Sequence, residues 1–203
     1  LIPTIDIWNQ RLCEYGARLV MYRDSFSKLL EKYCCQNMLD LTSGAERLEI
    51  TYVPSVRYKD PLDIKDIKES FLKRMEELKT AELARGQALT GPHRDDLEFY
   101  INGNNAKVFA SQGQQRSVVL CIKIAMVDII KDRTGEYPVL LLDDIMSELD
   151  KSRQAYLTER IKGKQTIITC TETAHLRKSK RVSFFKVENG RFIEKPALQT
   201  INK

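Results

Sequence analysis

The spacing of large apolar side chains near the start of this chain limits its fold more than any other feature. Within "TIDIWNQRLCEYGARLVMYRDSFSKLLEKYCCQNML", Trp8, Leu12, Tyr15, Leu19, Tyr22, Phe26, Leu29 and Tyr33 recur at alternating steps of four and three. That is the a/d seam of a long helix built to lie against another helix. Asp6 stands where an N-cap would, and Gly44 where the helix would stop. At ~1.5 Å per residue the result is a rod of roughly 50 Å, which needs a partner. "PLDIKDIKESFLKRMEELKTAELARG" reads as a second amphipathic helix, with Pro61 near its start, Ile64, Ile67, Phe71, Met75 and Leu78 on one face, and Gly86 past its end. It is too short to cover the rod, so part of the seam is expected to pack on a segment upstream of Leu1. The first turns could equally face the domain's own core. Between the helices, the alternation of Leu48, Ile50 and Tyr52 predicts a strand.

After Gly91 the texture changes to short strands and turns. "LEFYINGNNAKVFAS" predicts a hairpin about Asn102-Gly103, and "FFKVENGRFIE" another about Asn189-Gly190. "PVLLLDD" and "TIITCTE" read as buried strands, separated by helices over 113–133 and roughly 151–162 that are closed by Gly135 and Gly163. Strand, helix, strand order predicts a parallel sheet, hence an α/β lobe over 89–203 beside a helical arm with a short strand over 1–88. At 203 residues, 42% apolar and 30% charged, the chain has the composition of a globular protein. No apolar run approaches the ~20 residues of a membrane span. Five Cys without C-x-x-C spacing and two distant His argue for reduced thiols, no zinc site and a cytoplasmic protein. The chain opens on Leu1 rather than Met and shows no secretory signal, so it reads as part of something longer.

Two short stretches carry chemistry. In "PVLLLDDIMSELD", Asp143 and Asp144 follow an apolar strand directly, which puts adjacent carboxylates at the strand's carboxyl end, where open α/β sheets bind ligands. Such oxygens suit Mg²⁺, whose remaining shell is water and phosphate, and the neighbouring carboxylate could polarise an attacking water. An isolated Asp-Asp could also simply end a strand in a polar loop. In "ASQGQQRS", Ser111 and Gly113 open a helix whose free N–H groups and dipole favour an anion. Gln114 and Gln115 add amides there and Arg116 a cation, although an ordinary Ser cap would account for Ser111 alone.

Together these stretches resemble known motifs. "SQGQQRS" is similar to the ABC-type ATPase signature, and "VLLLDDIMSELD" to a Walker B strand running directly into a D-loop. With Gln112 in place of the second-position Gly, Asp144 in place of the usual Glu, and "TGPHRDDLEFYINGNNAKVFASQGQQRS" ahead, the chain resembles the bacterial RecF family over essentially its whole length. The long seam is similar to that family's helical arm.

The resemblance implies that Asp143 organises Mg²⁺ and that Asp144 is the catalytic carboxylate orienting water. It implies that Ser147, Glu148, Leu149 and Asp150 form a D-loop at a dimer interface. Ser111, Gly113, Gln114, Gln115 and Arg116 would then meet the γ-phosphate of ATP held by the opposite protomer. Implied partners are a second copy in the presence of ATP, DNA at single-strand gaps or junctions, and RecO- and RecR-like proteins. Two further features depart from the ABC pattern. No G-x-x-x-x-G-K-[ST] occurs, "KGKQ" at 162–165 being the nearest approach, so the phosphate loop is expected upstream and this chain alone to be inactive. Glu172 stands where a switch His is usual, which implies slow hydrolysis.

The net charge of +5 lies wholly after residue 88. Lys162, Lys164, Arg177, Lys178, Lys180 and Arg181 are the candidate DNA-binding residues, with a solvated face as the alternative. His93, Arg94, Asp95 and Asp96 of "GPHRDD" could form a proton-transfer or metal cluster, or an ion-paired hinge joining arm to lobe. A non-enzymatic module docking DNA or a protein through its arm and basic face is the competing reading of the whole chain.

Overall fold

The computed structural model describes residues 2–171 and 182–195, which fall into two compact units divided between Ile129 and Ile130. In the first, α1 (Ile2–Leu41) runs unbroken for 40 residues. Asp6 lies inside it and is not its cap. The helix ends as expected near Gly44, whose φ of 84° lets its N–H reach back to Leu39 O at 2.8 Å. α2 (Ile64–Arg85) is capped by Asp63, which accepts from Lys65 N at 2.9 Å, and ends at Gly86 with φ 63°.

Leu12 of the seam packs against the contact between these helices and Leu29 and Tyr33 against the next cluster, but most of the seam stays outside. Trp8 is 70% exposed, and Tyr15, Leu19, Tyr22 and Phe26 are exposed as well. α1 instead turns its small residues inward. Cys13, Ala17 and Val20 pack with Ile67, Phe71 and Met75 of α2 and with Val56. Small side chains allow close approach, so burial there follows size as much as hydropathy. Gly16 shows the same constraint: a Cβ at this position would lie 3.3 Å from Pro92 Cδ.

Further along α1, Leu30, Cys34 and Met38 join Leu48 and Ile50 of β1 (Leu48–Val53), Ile101 of β2 (Asp96–Ile101), and Val118, Cys121, Ala125 and Ile129. β1 and β2 are antiparallel, with Ile50 opposite Phe99. β2 turns at Asn102-Gly103 into β3 (Asn104–Asn105). The second arm of this hairpin is shorter than expected, because Asn105 accepts from Lys107 N at 3.0 Å and starts α3 (Ala106–Phe109). α4 (Gln112–Thr134) follows and closes at Gly135, φ 82°.

In the second unit β4 (Leu140–Leu142) pairs in parallel with β5 (Thr166–Ile168), with α5 (Ile145–Glu148) and α6 (Lys151–Arg160) between them. β6 (Phe184–Glu188) and β7 (Arg191–Lys195) form the expected hairpin about Asn189-Gly190. Among the described strands, β4–β5 is thus the parallel pair of the predicted α/β lobe and the other pairings are antiparallel; unlike the expected buried strands, β4 and β5 expose Leu141 and Ile167. No helix among the described residues is long and apolar enough to cross a membrane.

Candidate functional site

Within the second unit, Leu142 is buried while Asp143 and Asp144 beyond it are exposed, so β4 delivers both carboxylates at its carboxyl end. The chain bends sharply here. Asp144 has φ 46°, a left-handed conformation that Asp tolerates better than most side chains. Thr169, just past β5, ties the bend together: its hydroxyl accepts from Asp144 N at 2.9 Å and donates to Asp143 Oδ1. Parallel pairing sets this bridge, since Leu142 lies opposite Ile168 and Thr169 N donates to Leu142 O at 3.0 Å.

An Asp carboxylate beside a Thr hydroxyl is a set of hard oxygens, able to supply one or two ligands of a Mg²⁺ shell completed by water and phosphate. Among the described residues no three His, Cys, Asp or Glu side chains cluster as a metal site.

After the bend Ser147 Oγ donates to Asp144 O at 2.8 Å, and Ile145, Met146 and Leu149 are buried. Asp150 caps α6, accepting from Ser152 N and Arg153 N, both at 3.0 Å, and from Ser152 Oγ at 2.6 Å. These hydrogen bonds, Ser152 foremost, and the Arg153 guanidinium pull the Asp150 pKa down to about 2. Gln154, which the sequence did not single out, donates to Met146 O at 2.7 Å and to Leu149 O at 3.0 Å, pinning the 146–149 turn from α6. Lys162 is ion-paired with Glu159. Lys164 donates to Arg160 O at 2.7 Å and sits 4.9 Å from the centre of the Tyr137 ring. Arg177, Lys178, Lys180, Arg181 and Glu172 lie outside the described residues.

In the first unit the octet opens α4 as a capping box. Ser111 Oγ accepts from Gln114 N at 3.2 Å, and Gln114 Oε1 accepts from Ser111 N at 2.8 Å. Gln114 Nε2 donates to Glu46 Oε1 at 2.9 Å, and Gln115 Nε2 to Ala110 O at 3.2 Å. Both amides are thus engaged by the chain itself. Gly113 O accepts from Ser117 Oγ at 3.0 Å.

The "GPHRDD" side chains form no single cluster: His93 and Arg94 meet at one carbonyl, while Asp95 and Asp96 make separate contacts. Arg94 donates to Ala88 O at 2.8 Å, His93 Nε2 lies 3.3 Å from the same oxygen, and Asp96 binds its neighbour Leu97 N. Asp95 alone points inward, its side chain 1% exposed. Its carboxylate accepts from Ser55 N at 2.7 Å and from Tyr52 Oη, and pairs with Arg23 of α1 at 3.5 Å. Arg23 also donates to Pro92 O. Burial, then the bond to Asp95, pushes the Tyr52 pKa up; burial takes Tyr58 up to about 12. Asp95 thus ties α1, β1 and the turn ahead of β2 together through an ion pair and hydrogen bonds.

No family model matches the sequence. The DNA replication and repair protein RecF of Acetivibrio thermocellus is 44% identical over 172 residues, which make up 85% of this chain and 47% of that protein. Its counterpart in Ruminiclostridium cellulolyticum is 41% identical over 192 residues, 94% of this chain and 52% of that protein. Two solved structures are similar, both described as the recombination mediator protein RecF in the RecFOR pathway. The one described with ATPrS gives a TM-score of 0.82 at 32% identity, over 95% of this chain and 50% of the other. The one with ATP gives 0.80 at 34% identity, over 94% and 51%. The chain spans about half the length of the curated relatives it matches.

Proposed function

Because this chain belongs to the RecF family, over about half of that family's length, we propose that it supplies the signature, Walker B strand and D-loop of a DNA-repair ATPase that dimerises on ATP. The single observation that supports this best is the bend after β4, where Thr169 joins two exposed aspartates at the end of a parallel strand pair. In this reading Asp143 holds the Mg²⁺ that accompanies ATP, and Asp144 orients the attacking water. Ser147, Glu148 and Asp150 belong to the D-loop, with Asp150 fixing its end by capping α6. Ser111, Gly113, Gln114, Gln115 and Arg116 form the trans face of the nucleotide site, facing ATP carried by a second copy. DNA, RecO-like and RecR-like proteins are its partners in the whole protein. The arm of residues 1–88 and the ATPase lobe of 89–203 are functional divisions that cut across the compact unit 1–129, since β1 pairs with β2.

A docking module without nucleotide is the second reading. The engagement of Gln114, Gln115 and Asp150 in the caps of their own helices favours it. Light scattering on this chain joined to the rest of its family's length, with ATP and Mg²⁺, separates the two. ATP-dependent doubling of mass that Arg116→Ala abolishes supports the trans nucleotide site; a mass indifferent to ATP leaves the docking module.

A further inference from the structure

The arm helix and the signature octet are far apart in sequence, yet a short hydrogen-bond relay joins them. At the end of α1, Thr42 Oγ1 donates to Met38 O at 2.8 Å and accepts from Glu46 N at 3.0 Å, which fixes Glu46 to the last helical turn. Asn102, at the tip of the β2–β3 turn, grips the same loop: its Nδ2 donates to Ala45 O at 3.1 Å, and its Oδ1 accepts from Arg47 N at 2.8 Å. Glu46 then accepts from Gln114 Nε2 at 2.9 Å. Its other oxygen, Oε2, is buried without a hydrogen-bond partner among the described residues, so that amide is the side chain's resolved polar anchor.

The chemistry of this contact is directional. A carboxylate only accepts, so it must face the NH₂ end of the Gln114 amide; the Ser111 N–H only donates, so it must face the carbonyl end. Glu46 on one side and Ser111 on the other therefore hold the planar amide in one orientation and exclude its flip. The Gln114 carbonyl in turn sets the Ser111 backbone, and with it the position of the hydroxyl.

We infer that Glu46 is a positioning residue through which the arm helix sets the geometry of the signature octet by way of Gln114. This rests on the proposed role of that octet in gripping a phosphate. Displacement of the end of α1 would carry Glu46 with it, and loss of its contact would free the Gln114 amide. Binding at the arm and ATP-dependent dimerisation would then be coupled reciprocally through one pair of side chains.

The test is a double-mutant cycle in the full-length protein, reading the ATP concentration that gives half-maximal dimer by light scattering, with thermal unfolding as the control. Glu46→Ala and Gln114→Ala should each raise that concentration about tenfold, the scale of one charge-assisted hydrogen bond. The double variant should raise it no further, because the two act as one unit. Glu46→Gln, whose amide oxygen still accepts from Gln114, should recover to within about threefold of wild type. Additive effects, or a lowered melting temperature with no change in ATP requirement, overturn the coupling while leaving the nucleotide site intact. A wild type that stays monomeric at saturating ATP and Mg²⁺ overturns the phosphate-grip reading itself, and the coupling with it.

Discussion

Asp95→Ala tests this buried, ion-paired link. The Asp95 carboxylate is buried, accepts from Ser55 N at 2.7 Å and from Tyr52 Oη, and lies 3.5 Å from Arg23. Truncation leaves two donors facing a space with no acceptor. Hydrogen bonds to a charged group contribute about 1.5–3 kcal/mol each, so the two together give about 3 kcal/mol at the low end of that range. Arg23 adds little to this sum, because its side chain is 42% exposed and can be rehydrated. For a chain of this size about 3 kcal/mol corresponds to a fall in melting temperature of roughly 6–12 °C. Arg23→Ala leaves both donors bonded but removes the cation beside the buried carboxylate and the donor to Pro92 O, and should cost about 1–2 kcal/mol, less than Asp95→Ala. Asp95→Asn, which keeps an acceptor but loses the charge, should fall between them. The titration of Tyr52 gives an independent readout. Its folded pKa is raised, so it contributes stability below the ordinary tyrosine pKa of about 10, and this is lost as pH rises through the folded value. Removing Asp95 should bring tyrosinate absorbance in at lower pH. A melting temperature that Asp95→Ala lowers no more than Arg23→Ala does would refute the energetic weight given to the two buried donors.

Asp150→Ala should destabilise the protein by about 1 kcal/mol near neutral pH, the ordinary worth of an N-cap, measured as a lower urea midpoint. The Asp150 pKa is depressed to about 2, so its stabilisation is present above the usual carboxylate value of about 4 and lost as pH falls toward about 2. Variant and wild type should therefore converge at that acid limit, and a gap that persists below it would count against the cap. Trp8, the one tryptophan and 70% exposed, should emit like a hydrated indole in this chain and be quenched freely by acrylamide. If residues from the rest of the family's length cover the seam, emission from Trp8 should move to the blue once they are joined, in a protein whose other tryptophans are replaced. No shift would mean that the seam stays in water.

Local chemistry was the legible part of this sequence. Gly86, Gly135 and the Asn-Gly turns announce their positions because only a few residue types adopt positive φ cheaply. An apolar strand ending in two carboxylates likewise declares its carboxyl end. The seam showed only part of the packing, for a physical reason: heptad spacing identifies a face that can be buried, whereas the face this unit itself buries is chosen by how closely α2 and Pro92 can approach. Cys13, Gly16 and Ala17 allow that approach, and Trp8 and Tyr15 do not. Thr169, Gln154 and Glu46 left little trace, because each acts through a polar contact with a distant residue or a backbone oxygen that no periodicity encodes. The capping box was the exception. Ser111 with Gln114 three residues on is its sequence signature, and that pattern was there to be read.

The capping box also bears on how the octet could meet a phosphate. Gln114 and Gln115 spend their amides on Ser111, Glu46 and Ala110, so they are poor candidates for direct contact with an anion unless the helix start rearranges. Ser111 differs, because a hydroxyl accepts and donates at once. Its oxygen takes the Gln114 N–H, and its proton remains available for donation to an acceptor. On the proposed reading, recognition of the γ-phosphate therefore rests on Arg116, on the Ser111 hydroxyl and on the backbone N–H groups at the start of α4, rather than on the glutamine amides. The glutamines hold that hydroxyl in register. Ser111→Ala should then abolish ATP-dependent dimerisation more completely than Gln115→Ala, although each removes one side-chain hydrogen bond from the same turn. Equal effects would return Gln115 to the phosphate, and no effect from Ser111→Ala would make the octet a helix cap alone.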